Sequence, residues 1–269
     1  MDKRPIGVFD SGLGGLTAVR QILKRLPNEN VVYFGDTGRV PYGTRGEAVI
    51  EKYAKEDCDF LLQHDVKFVI AACGTVSSVA PHILASLPVP AIGVVEPSAK
   101  AAANATENGK IGILGTSATI NSGSFVKALK AVRPQTEFYS QPCPLFIPLV
   151  ENGWIHDNDP ITTLTVERYL KPFKEAGVDT IILGCTHFPL LSSFISRYMG
   201  NDVTLIDAGE EAAKACEEQL KALSLENTDG SGQCQYFVSD HPKDFAQIAE
   251  IFLGKPVQEQ VKIVDLNTL

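Results

Sequence analysis

Lys67-Phe68-Val69-Ile70-Ala71-Ala72-Cys73-Gly74-Thr75 and Thr180-Ile181-Ile182-Leu183-Gly184-Cys185-Thr186-His187 read as two copies of one device. Each opens on a short apolar, β-branched run, the signature of a strand buried on both faces. Each then presents a cysteine, a small or hydroxyl residue and the start of a helix. Two thiols delivered in the same way, more than a hundred residues apart, decide how the rest of the chain is read.

Strands are expected over residues 5–10, 30–34, 67–72 and 91–95, with helices over 16–26, 47–63 and 97–105 between them. The helix after Cys73 is expected to start late, at a Ser77 or Ser78 cap, with Pro81 in its first turn. At residue 110 the pattern restarts. Ile111-Gly112-Ile113-Leu114-Gly115-Thr116 echoes Ile6-Gly7-Val8-Phe9-Asp10-Ser11, and the interval from Ile111 to Cys185 (185 − 111 = 74) resembles that from Ile6 to Cys73 (73 − 6 = 67). Such spacing points to a duplicated unit. Strands over 137–139, 180–183 and 203–207 follow, with helices over 144–152, 161–176, 188–198 and 210–223. A polar loop over 226–232, a strand over 234–238, a helix over 244–253 and a strand over 261–264 close the chain. Strands alternating with helices predict an α/β fold of two similar units with mainly parallel sheets. Ligands in such sheets lie at the carboxyl ends of the strands, where Asp10, Cys73 and Cys185 all fall.

Composition narrows the function. A chain of 269 residues, 44% hydrophobic and 21% charged, is that of a globular protein, and a net charge of −8 disfavours nucleic acid or an anionic membrane as partner. No apolar stretch is long enough to span a bilayer, and residues 1–5 run into a strand without an apolar leader. The six cysteines show no zinc-type or CxxC spacing, so neither metal nor disulfide is expected, and reduced thiols in the cytoplasm are. Gly12-Leu13-Gly14-Gly15 fails as a dinucleotide fingerprint because Thr17 stands where the third glycine belongs. The loop is read instead as permitting close backbone approach to a small carboxylate. No cofactor is expected.

A cysteine between a buried strand and a helix N-terminus is expected to have a stabilised thiolate. Cys58, Cys143, Cys216 and Cys234 lack that context and read as inert core thiols. One activated thiol suggests a nucleophile. Two matched thiols on opposing halves suggest proton transfer at both faces of one carbon: a racemase removes a proton from one side and returns one to the other. Thiolate base and thiol acid exchange roles at each turnover, and their titrations are coupled. His187 beside Cys185 is a candidate proton partner. His64, His82, His156 and His241 stand alone and read as surface or core residues. Asp36, in the polar loop 35–43, could be a turn former or a functional group.

The motifs Gly7-Val8-Phe9-Asp10-Ser11-Gly12-Leu13-Gly14-Gly15-Leu16-Thr17, Gly35-Asp36-Thr37 with Pro41-Tyr42-Gly43, Ala72-Cys73 with Thr75, and Leu183-Gly184-Cys185-Thr186-His187 with Pro189 resemble those of the glutamate racemases, within the cofactor-independent aspartate/glutamate racemase family. The resemblance spans nearly the whole chain. It implies a cytoplasmic homodimer that interconverts L- and D-glutamate and supplies D-glutamate for peptidoglycan. It also implies two α/β domains, residues 1–97 with 208–269 and residues 98–207, with the active site in the cleft between them. By that likeness Cys73 and Cys185 are the acid/base pair, Asp10 assists Cys73, and His187 and Glu151 support Cys185. Asp10, Ser11, Tyr42, Gly43, Gly74, Thr75, Thr186 and His187 bind substrate. The family pattern has asparagine where this chain has Gly74, which offers only a backbone N–H. Three competing readings are a racemase of aspartate or another amino acid, a cysteine hydrolase built on Cys185 and His187, and a non-catalytic amino-acid-binding protein. The hydrolase is disfavoured because side chains so close in sequence rarely face each other.

Overall fold

The computed structural model describes residues 1–240, 245–254, 256–257 and 261–266. The chain forms two sheets in which every pairing is parallel. The strands are β1 (Ile6–Asp10), β2 (Val31–Gly35), β3 (Phe68–Ala71), β4 (Ala91–Gly93), β5 (Lys110–Gly115), β6 (Glu137–Pro142), β7 (Thr180–Leu183), β8 (Thr204–Asp207), β9 (Cys234–Val238) and β10 (Val261–Ile263). The first sheet has the order β10-β9-β2-β1-β3-β4 and the second β6-β5-β7-β8. The run β2-β1-β3-β4 therefore recurs as β6-β5-β7-β8, which is the duplicated topology expected from the repeated motifs.

The echo of Ile-Gly has a physical cause at both places. Ile6 pairs with Val31 and Phe68, and Ile111 with Phe138 and Thr180, so each lies near the start of a strand paired on both sides. A Cβ on Gly7 would lie 3.0–3.1 Å from Val66 and Leu61, and one on Gly112 would lie 2.5 Å from the Phe173 ring. In each half a bulky apolar side chain presses on the central strand where the glycine leaves room. Buried residues of the two sheets, among them Ile6, Val8 and Ile70 with Leu114, Ile181 and Leu183, belong to one continuous apolar core.

Helix ends follow their sequence signals where side chains are free to cap. Asp159 accepts the Thr162 N–H before the helix Pro160–Ala176, which ends at Gly177 with φ +70°. Asp207 caps the helix Ala208–Ala222 through the N–H groups of Gly209 and Glu210. The region after Cys73 departs from expectation. Its helix, Gly74–Val79, starts at once, and Pro81 opens a separate short helix, Pro81–Ala85. Ser77 is no cap: its Oγ donates to the Ala71 carbonyl at 3.0 Å and accepts the Val94 N–H at 3.1 Å, tying the helix to β3 and β4. The expected helix over 188–198 is a 3₁₀ turn, Phe188–Leu191, followed by Ser192–Met199. Two short helices, Ser117–Ser122 and Ser124–Val132, have no counterpart in the sequence reading. The last helix is described over Phe245–Leu253; residue 244 and His241 lie outside the described residues. Among the described residues, no helix is long and apolar enough to cross a membrane.

Candidate active site

Cys73 stands two residues beyond β3 and Cys185 two residues beyond β7, each at the carboxyl end of a strand beside the central one. Both are nearly buried, 4% and 7% exposed, and both line one cleft of about 330 Å³. Ser11, Tyr42, Gly43, Gly74, Thr75, Glu151, Thr186 and His187 line it too. The sequence-predicted residues thus converge, with one exception. Asp10 is 1% exposed and stands behind the cleft wall rather than on it.

The wall around Cys73 is built on the turn after β1. Asp10 Oδ2 accepts the Gly12 and Gly15 N–H groups at 3.1 and 3.0 Å, which fixes that turn. Its Oδ1 has no hydrogen-bond partner among the described residues. Burial raises the Asp10 pKa against the opposing pull of His187 and the backbone N–H groups. The Cys73 thiol donates to Ser11 Oγ at 3.5 Å. Burial and then the Asp10 charge push its pKa up to about 12, more than the Val76 N–H and Ser11 pull it down. The thiolate-stabilising helix end expected from sequence is therefore outweighed: Cys73 holds its proton at neutral pH. Of the glycine loop, only Gly12 lines the cleft. A Cβ on Gly14 would lie 2.2 Å from Thr186 Oγ1, and one on Gly15 2.5 Å from Asp10 Cβ, so these glycines permit packing between the halves and around Asp10.

The wall around Cys185 is a relay. His187 Nδ1 lies 3.8 Å from Cys185 Sγ and 3.4 Å from Thr186 Oγ1, and Nε2 lies 3.0 Å from Glu151 Oε1. The Phe188 N–H donates to the Cys185 carbonyl at 3.1 Å, closing a turn over residues 185–188, and within it Cys185 and His187 do face each other, contrary to the expectation from their spacing. Burial lowers the His187 pKa, but its hydrogen bonds with Cys185 and Glu151 and their charges raise it, to about 10. The imidazolium form is thus held at neutral pH, with a proton directed at each neighbour.

That shift has a measurable consequence. A histidine with a pKa of about 10 folded and about 6.5 unfolded contributes stability fully present below pH 6.5 and lost as pH rises toward 10. The melting temperature is expected to fall between pH 6.5 and 9, and the His187→Gln variant to show a flatter slope there. An unchanged slope would contradict the assignment.

Tyr42 lines the cleft with its ring, not its hydroxyl. The hydroxyl donates to Asp36 and lies 3.1 Å from Asp57 Oδ2. Asp36 also accepts from Ser239 Oγ at 2.7 Å and pairs with Arg39 at 2.5 Å. Arg39 further pairs with Asp57 at 3.0 Å and with Glu56. Asp36 thus organises the loop that carries Tyr42 and Gly43 and does not reach the cleft. Of the other described histidines, His64 packs on Phe60 and Phe237, and His82 faces Glu51 at 3.3 Å. Cys58, Cys143, Cys216 and Cys234 are buried.

Sequence reasoning missed Thr116, Ser117, Pro144, Ile147 and Pro148, which line the cleft together with Val40, Pro41 and Thr44 of the loop around Tyr42. Thr116 was within reach, since the motif echo aligns it with Ser11. Its Oγ1 meets Thr75 Oγ1 at 3.1 Å across the cleft. Thr17 Oγ1 makes a second link between the halves, donating to the Thr186 carbonyl at 3.0 Å.

This arrangement has close relatives. Residues 6–216 match the model of the Asp/Glu/Hydantoin racemase family. The glutamate racemase of Neisseria meningitidis is 46% identical over 268 residues, 98% of each chain, and that of Geobacter metallireducens 44% over 256 residues, 94% of each. The crystal structure of glutamate racemase from Francisella tularensis, in complex with D-glutamate, superposes with a TM-score of 0.92 at 36% identity over the whole of both chains. A match that takes in both thiols and the strands β1 to β8, with relatives this similar from end to end, places the chain in the Asp/Glu/Hydantoin racemase family.

Proposed function

We propose that this chain is a glutamate racemase in which Cys73 and Cys185 exchange a proton with the two faces of the substrate Cα. One observation carries the reading: the two thiols occupy equivalent positions in two equivalent sheets and line the same small cleft. The relatives named for this activity, and the D-glutamate complex of one of them, supply the substrate. With Cys73 neutral at rest, the reprotonating thiol of one direction is in place. Cys185 then removes the Cα proton and keeps it, while the His187 imidazolium, held in turn by Glu151, lies against its sulfur. In the opposite direction Cys73 is the base, and Asp10 behind it, through its unpartnered Oδ1, assists the transfer. Ser11, Gly43, Gly74, Thr75 and Thr186 hold the amino acid's polar groups, and the Tyr42 ring closes the wall.

A division into residues 1–97 with 208–269 and residues 98–207 is supported by the two separate sheets, each of which contributes a thiol to the cleft. A homodimer making D-glutamate for peptidoglycan in the cytoplasm is the setting that the family resemblance supports. The direct test is to offer L- or D-glutamate without added pyridoxal phosphate: optical activity is expected to decay to zero from either enantiomer. Decay with aspartate and none with glutamate would reassign the substrate.

A second reading draws on the contact series Cys185–His187–Glu151, which has the order of nucleophile, base and orienting carboxylate. A hydrolase of that kind would form a covalent adduct on Cys185 and be indifferent to Cys73→Ala.

A further inference from the structure

We propose that Gly74 is a positioning residue: its missing side chain lets the two thiol-bearing loops meet backbone to backbone, and this contact sets the span between Cys73 and Cys185. The inference rests on the racemase reading above.

Gly74 is the first residue of the helix Gly74–Val79 and lies outside the positive-φ region. No backbone requirement selects glycine there, and a helix is better served by almost any other residue. Space does select it. A Cβ at position 74 would lie 2.1 Å from the Gly184 carbonyl oxygen and 3.1 Å from its carbonyl carbon. The other glycines on this seam meet side chains: Gly14 faces Thr186 and His187, and Gly43 faces Thr116 at 2.8 Å. Side chains can turn aside, whereas a carbonyl moves only with its backbone. Gly184 is also held from behind, since its N–H donates to the Leu114 carbonyl at 2.9 Å and thereby extends the β5–β7 pairing.

Gly74 follows Cys73 directly, and Gly184 directly precedes Cys185. Any wedge between them is passed straight to the two sulfurs. Relieving a 2.1 Å approach to ordinary contact requires a shift of about 1 Å. Two groups that must reach one carbon from opposite faces are sensitive to such a shift, and misplacement of about 1 Å can cost roughly 10²-fold in rate. The asparagine of the family pattern is therefore excluded in this chain by the Gly184 carbonyl, and the narrower seam replaces it.

The test uses the full chain with Gly74→Ala and Gly74→Asn, and Gly46→Ala as control, because a Cβ at Gly46 meets nothing within 4 Å. Both Gly74 variants are expected to lose roughly 10- to 100-fold in kcat in both directions. For Gly74→Ala the KM for glutamate should change far less than kcat, with an unchanged melting temperature, and Gly46→Ala should match wild type. A crystal structure of Gly74→Ala is expected to show the Gly184 oxygen displaced by about 1 Å and the two sulfurs further apart. Wild-type kcat in Gly74→Ala, an unmoved Gly184, or a loss of rate that merely tracks a loss of melting temperature would overturn the proposal. A wild-type protein inactive on glutamate would instead overturn the racemase reading, and the crystallographic displacement would still decide whether Gly74 sets the span.

Discussion

Replacing either Cys73 or Cys185 with alanine is expected to lower glutamate racemisation by roughly 10²–10⁴-fold, the scale of a lost general acid or base. The two losses should be similar, although the surroundings of the thiols differ. Cys73 is held neutral by burial and Asp10, with Ser11 as its hydrogen-bond partner, whereas Cys185 works beside the His187 imidazolium. Inversion needs one group on each face, so loss of either blocks both directions. The double variant should be little worse than the singles, because residues acting as one unit are not additive. Full activity in either single variant would remove the two-thiol mechanism. Loss confined to Cys185→Ala would instead mean that one thiol serves both faces of the carbon.

The second large effect is on stability. Arg39 lies among Asp36, Glu56 and Asp57, and its guanidinium also stacks over the Tyr53 ring at 4.2 Å. Asp36 and Asp57 are fully buried, and burial together with the Asp36 charge raises the Asp57 pKa well above the usual range. Removing the cation from such a cluster costs about 3–5 kcal/mol. Arg39→Ala is expected to lose stability on that scale, read from denaturant unfolding. The loss should grow from pH 5 to pH 8, because an unpaired buried carboxylate must bind a proton to fold and the unfolded chain releases it more readily as pH rises. Arg39→Lys should recover only part, since an ammonium cannot span three carboxylates as the planar fork does. The KM for glutamate should rise in both, because Tyr42 loses the cluster that orients its ring. A loss below about 1 kcal/mol in Arg39→Ala, the size of an exposed pair, would contradict this account.

How far the sequence led depends on how local each signal is. The runs before Cys73 and Cys185 announced buried parallel strands, because a strand covered on both faces must be apolar along its whole length. The repeated Ile-Gly pair announced the duplication, because the same packing constraint acts at Gly7 and Gly112. What was not legible depends on groups distant in the chain. Ser77 looks like a cap until Ala71 and Val94 claim its hydroxyl. Asp10 looks like a cleft residue until the turn N–H groups claim its carboxylate, and Tyr42, which does line the cleft, gives its hydroxyl to the Arg39 cluster. The Cys185–His187 contact depends on a turn over residues 185–188, closed by the Phe188 N–H on the Cys185 carbonyl, which the spacing of the two residues does not announce. The raised Cys73 pKa follows from burial and Asp10, which a helix-dipole argument from sequence cannot weigh.

The central claim is that two different groups serve the two faces of one carbon. Its most direct test is to follow L-glutamate in deuterated water through the first few per cent of conversion, and to read deuterium separately in the D-glutamate formed and the L-glutamate remaining. Two thiols predict D-glutamate carrying solvent deuterium at Cα and unreacted L-glutamate still carrying protium, with the mirror result starting from the D-enantiomer. Deuterium appearing equally in both enantiomers from the outset would mean that a single base returns protons to either face, and the account would be wrong.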